Sequence, residues 1–127
     1  MFEQLLQYKD VGLLILRLAV AVIFLYHGLP KLKNSQEMAK SMGWPARAVL
    51  ALGAAESLSA AGLIFGFYMQ TAALVLAIVM AGAIYLKTMK WNVSFSAFDK
   101  TGWEFDLILL AANIAILLTG GGSIKLF

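Results

Sequence analysis

Residues Val11 to Leu29 read VGLLILRLAVAVIFLYHGL. The run is continuously apolar rather than alternating, broken only by Arg17 and His27. A helix rises about 1.5 Å per residue, so about 20 such residues cross the hydrocarbon core of a bilayer. A barrel strand would alternate and be about half as long. Pro30 follows and is expected to stop the helix, because its ring removes a hydrogen bond and clashes with the preceding turn.

Three further segments repeat the pattern. Ala46 to Tyr68 follows Trp44-Pro45, where a proline suits the first turn of a helix. Gln70 to Leu86 comes next, and Trp103 to Thr119 ends at Gly120-Gly121-Gly122, a run that terminates helices well. The expected fold is therefore all-α: an integral membrane four-helix bundle, with helices at about 11–29, 46–68, 70–86 and 103–119 in a single domain, 1–127. Helices two and three would form a tight antiparallel hairpin. Residues 31–45 and 87–102 would be polar connections.

Composition agrees. The chain is 61% hydrophobic and 13% charged, with a mean hydropathy of +0.83. A soluble domain carries about 25% charged residues, so too little charge is present to cover a water-facing surface, and the expected surroundings are a lipid bilayer. The first run lacks the signal-peptide pattern, since it follows an acidic and polar start, contains two ionisable residues and has no small-residue cleavage site. With no cysteine, the chain itself carries no disulfide or thiolate chemistry. A single histidine excludes a multi-histidine metal site within one subunit, and no metal ligand set is expected.

The net charge of +3 does not imply nucleic acid, because the basic residues gather at helix ends, where they act as orientation signals. One side carries Lys9 and Lys125; the other carries Lys31, Lys33, Lys40, Arg47, Lys87, Lys90 and Lys100. That asymmetry predicts a multi-pass protein of the cell membrane, with both longer loops cytoplasmic and both termini outside.

Helix association in lipid relies on small residues that let backbones approach. Gly53, Ser57 and Ala61 are spaced by four, as are Gly62 and Gly66. Packing within the bundle is the simpler use of both sets. A homo-oligomer through Gly62 and Gly66 is the alternative.

Ionisable residues inside lipid are costly, about 2.5–3.5 kcal/mol each on insertion scales, and they mark either structural pairs or functional sites. Arg17 lies about 9 Å from the start of the first run, and Glu56 about 15 Å from Gly66 on the same side. An Arg17–Glu56 ion pair is expected, with Asn113 as a third, hydrogen-bonding partner. Whether that pair is a structural clamp or part of a site stays open. A second cluster, of His27, Lys31 and Glu104, is expected near the basic side as a ligand-binding or proton-handling pocket. Against this stand a headgroup-level role for His27 and a helix-start role for Glu104 and Asp106. The aromatic residues Tyr26, Trp44, Trp91 and Trp103 read as interfacial anchors.

The stretch LRLAVAVIFLYHGLPKL resembles the DoxX family of small four-helix membrane proteins, in which a first-helix arginine is followed by His-Gly and a lysine. Here these are Arg17, His27, Gly28 and Lys31. Glu56 in GAAESLSAAGLIFGF and the sequence Gly102-Trp103-Glu104 match two further landmarks of the family, and Gly120–Gly122 match its closing glycines. The resemblance implies association with respiratory or sulfur-linked oxidoreductase systems, including quinone-reducing complexes, and with assemblies handling thiol stress. It implies a membrane or soluble oxidoreductase as partner and a quinone as the non-covalent cofactor. With no cysteine here, any thiol chemistry would come from that partner.

The resulting expectation is an accessory or quinone-facing subunit of a membrane redox complex, not a standalone enzyme. A non-catalytic scaffold or a small-solute transporter is the alternative.

Overall fold

A computed structural model describes residues 1–125. Among them every regular element is helical. A short 3₁₀ segment, Glu3–Tyr8, leads into α1 (Lys9–Lys33); α2 (Ser35–Met42), α3 (Ala46–Phe65), α4 (Met69–Tyr85) and α5 (Trp103–Thr119) follow. A π-helical turn, Leu86–Lys90, extends α4. Three helical stretches are long and apolar enough to cross a membrane: Glu3–Lys33, Ala46–Phe65 and Met69–Lys90. The chain is a membrane protein.

The expected helices exist, but several boundaries move. Pro30 does not stop α1, which runs on to Lys33. A proline removes only the bond to the carbonyl four residues back, here that of Tyr26, whose side is 75% exposed. The end is then closed by Asn34 N–H donating to Pro30 O at 2.7 Å. The connection at 31–45 is not simply loop, because α2 occupies its middle and ends at Gly43, which holds φ 73°. α3 ends at Phe65 rather than Tyr68: Gly66 turns left-handed at φ 83°, and the N–H groups of Gly66 and Phe67 both donate to Gly62 O. α4 runs Met69–Tyr85 against an expected 70–86, and α5 keeps the expected bounds.

Among the described residues the five α-helices pack unevenly, and the short α2 rests on α3. α1 packs chiefly on α3, and α4 chiefly on α5, with the α3–α4 hairpin joining the pairs. A continuous core of Phe24 on α1, Leu63 on α3, Leu76 on α4 and Ile116 on α5 ties the four together.

The α1–α3 contact is set by glycine. A Cβ added to Gly28 would lie 2.8 Å from Ser57 Oγ and 3.2 Å from Gly53 O; one added to Gly53 would lie 2.7 Å from Lys31 Cβ and 2.9 Å from Gly28 O. The backbones touch there, and this contact fixes the register. Small-residue packing through Gly53 and Ser57 is thus intramolecular. Gly62 and Gly66 are likewise used within the chain, by the hairpin turn and by close approach to Lys125.

Candidate ligand-binding site

With Gly28 against Gly53, an antiparallel α1–α3 register places Glu56 level with the His27 turn and Arg17 level with the last turn of α3. The two lie about 12 Å apart along the helix direction. The expected Arg17–Glu56 ion pair is therefore not formed. Glu56 pairs instead with Lys31, whose Nζ stands 3.1 Å from Oε1 and 3.4 Å from Oε2.

Arg17, fully buried, takes carbonyl oxygens in place of a carboxylate. Its Nε donates to Leu63 O at 2.9 Å, and its Nη1 donates to Gly121 O at 3.1 Å and Ile124 O at 2.7 Å. Leu63 and Gly121 lie at the C-terminal ends of α3 and α5, where carbonyls lack helical partners and the helix dipole is negative. Arg17 thus staples two helix ends and the segment after Gly120-Gly121-Gly122 to α1. Asp10 adds to the staple by accepting from Ser123 N and Oγ at 3.3 and 2.7 Å. Asn113 is buried but donates to Leu109 O of its own helix, at 2.9 Å, and not to the Arg17 group.

The second expected cluster is two-thirds assembled. His27 and Lys31 both line a cavity of about 630 Å³ between the helix pairs; Glu104 does not, and is exposed. The carboxylate that reaches the cavity from α5 is Asp106, buried, with Lys87 Nζ 2.7 Å from its Oδ2. Helical periodicity explains the exchange. Asp106, Leu109, Asn113 and Ile116 share the buried face of α5, whereas Glu104 falls with exposed Leu107, Ile108 and Ala111.

Each helix pair thus contributes one ion pair to the same cavity, Lys31–Glu56 from α1 and α3 and Lys87–Asp106 from the end of α4 and α5. Lys87 lies in the π turn. It also donates to Thr101 Oγ1 at 3.0 Å and Thr101 O at 3.3 Å, tying the loop after α4 to the start of α5. Single π turns recur at functional sites.

The rest of the lining is apolar and aromatic. His27 stands between Tyr26 and Phe105, with ring centroids 5.4 and 5.5 Å away, and its ring makes no hydrogen bond among the described residues. Trp44 and Trp91, expected as interfacial anchors, also line the cavity. Among the described residues no group of three or more His, Asp and Glu side chains is gathered so as to hold a metal ion.

An apolar cavity of about 300–1,000 Å³ with a few convergent polar groups is the usual form of a small-molecule site. This one offers two ammonium groups, two carboxylates and an imidazole against aromatic walls. It can orient a flat, mostly apolar molecule by its oxygen atoms.

The DoxX family pattern matches residues 12–89, which covers α1 through α4 and both basic cavity residues, Lys31 and Lys87. The Gly102-Trp103-Glu104 landmark lies beyond that match. A Bacillus subtilis (strain 168) protein named "Putative oxidoreductase CatD" is 29% identical over 114 residues, 87% of this chain and 81% of that protein. No solved structure matches. With more than half its length matched by the family pattern, this chain belongs to the DoxX family.

Proposed function

We propose that this protein is a quinone-facing accessory subunit of a membrane redox complex, with α1, α3, α4 and α5 as four membrane spans. α5 is 17 residues long, about 25 Å, close to the hydrocarbon thickness of about 30 Å. Its buried stripe packs on α4, as a fourth member of the bundle should. The Lys and Arg distribution favours the cavity end facing the cytoplasm, with both termini outside.

One observation carries the reading: a single cavity brings together His27 and two internally neutralised ion pairs within aromatic walls. A quinone ring is flat and apolar, with an acceptor oxygen at each end. Trp44, Trp91 and Phe105 supply surfaces for the ring, and the ammonium groups of Lys31 and Lys87 would give its oxygens a donor by releasing a present partner, His27 O or Thr101 O. Glu56 and Asp106 keep both lysines from being unpaired charges in an apolar wall. His27, which lines the cavity, would deliver or accept a proton at a quinone oxygen, since imidazole changes charge near neutral pH. Electrons would come from a partner oxidoreductase. The name of the Bacillus relative supports a redox setting.

The test is genetic and biochemical. His27→Ala and Glu56→Gln should leave the protein in the membrane but lower quinone-linked activity of the complex that co-purifies with it. Full activity and assembly in both variants would overturn the pocket.

A further inference from the structure

The cavity is open on one flank. Its lining includes Ala51 on α3 and Ile78 and Gly82 on α4, all three exposed on the outside of the bundle. Ile78 is 64% exposed although it lines the cavity. A Cβ built on Gly82 would meet nothing within 4 Å. At the other end of the same two helices a Cβ on Gly62 would lie 2.9 Å from Phe67 O and 3.6 Å from Ala72 Cβ. α3 and α4 touch closely at their hairpin, whereas at the cavity each contributes residues that both line it and are exposed.

We infer that the cleft between α3 and α4, framed by Ala51, Ile78 and Gly82, is the passage through which the apolar tail of a prenylated quinone leaves the cavity into lipid. The inference rests on the quinone reading and adds to it the ligand's tail and its direction of entry. Glu56 and Asp106 are buried inside the cavity, whereas every residue named at the cleft is apolar or glycine. A tail directed past the ion pairs would strip water or counter-charge from them, which desolvation makes unfavourable. A tail directed through the cleft stays in hydrocarbon throughout. The ring then enters sideways from the bilayer, and neither part of the molecule crosses water.

The experiment compares two probes on protein reconstituted in nanodiscs, read by quenching of tryptophan fluorescence. One probe is a tail-less benzoquinone and the other carries a long prenyl tail. Gly82→Phe and Ala51→Phe fill the cleft from exposed positions, and Ala111→Phe, on the exposed face of α5 away from the cavity, is the control. The inference predicts that either cleft variant weakens the long-tailed probe by about tenfold or more beyond any effect on the tail-less probe, and that Ala111→Phe changes neither. Equal effects on both probes, or none on either, would overturn the passage while leaving the pocket standing. Failure of the tail-less probe to bind wild type would overturn the pocket and the passage together. A phospholipid that stays in the cleft when the long-tailed probe binds, seen by native mass spectrometry, would also overturn the passage.

Discussion

Lys31 Nζ lies 3.1 Å from Glu56 Oε1, an ion pair between α1 and α3 whose side chains are 14% and 3% exposed. It lies three residues from the Gly28–Gly53 contact on each helix, so the same crossing that brings the backbones together brings these charges together. Removing one partner leaves the other buried and alone, which costs about 3–5 kcal/mol. Lys31→Met or Glu56→Gln should therefore lower stability by about 3 kcal/mol, and the two combined by much less than the sum. Denaturant unfolding in mild detergent checks this; additive losses would show that the two side chains act separately.

Gly28 and Gly53 cannot carry side chains without separating α1 from α3. Overpacking of a tight contact costs about 1–3 kcal/mol, so Gly53→Leu should fall at or beyond the upper end of that range. Gly82→Ala is the contrasting case, since it meets open space within a helix and exchanges glycine for a better helix former, worth up to about 1 kcal/mol. Thermal unfolding of the two variants should move in opposite directions.

Arg17 holds its carbonyl partners by the planar fork of its guanidinium, which lysine lacks. Arg17→Lys keeps the charge but cannot donate from separate nitrogens to Leu63 O and Gly121 O. Hydrogen bonds to charged groups contribute about 1.5–3 kcal/mol each, so a loss of about 3 kcal/mol is expected. The release should be local first. Hydrogen exchange at 120–125 should speed up in Arg17→Lys, and unaltered protection there would count against the staple.

Lys87 joins Asp106 to Thr101, so Lys87→Gln should loosen the loop 91–102 and unlatch Trp91 from the cavity wall. The readout is a red shift of tryptophan emission together with faster exchange in that loop. No change in either would mean that the loop is held by other contacts, such as Phe95 on Trp103, whose ring centroids are 4.6 Å apart.

Much of this was legible in the chain. Continuous apolar runs of bilayer length mark α1, α3 and α4, and glycines at 120–122 mark the end of α5, because length and turn chemistry act locally. The pairing of charges was harder to read. Depth counted from the ends of apolar runs put Arg17 beside Glu56, but register depends on where two backbones touch, and Gly28 gives little sign of that until Gly53 is set against it. Glu104 and Asp106 both open α5. The seven-residue spacing of Asp106 and Asn113 was the available sign that Asp106 faces inward. For Lys87 no such sign exists, since it lies in a π turn that the sequence does not announce.

The central claim is that His27 and the two ion pairs form one ligand site. His27→Ala tests it most directly, because the imidazole lines the cavity without belonging to either ion pair or to the α1–α3 contact. Equilibrium binding of a tail-less benzoquinone to the purified protein should weaken by about tenfold, equivalent to about 1.4 kcal/mol, with the unfolding midpoint unchanged. Binding equal to wild type in a stably folded His27→Ala protein would contradict the account.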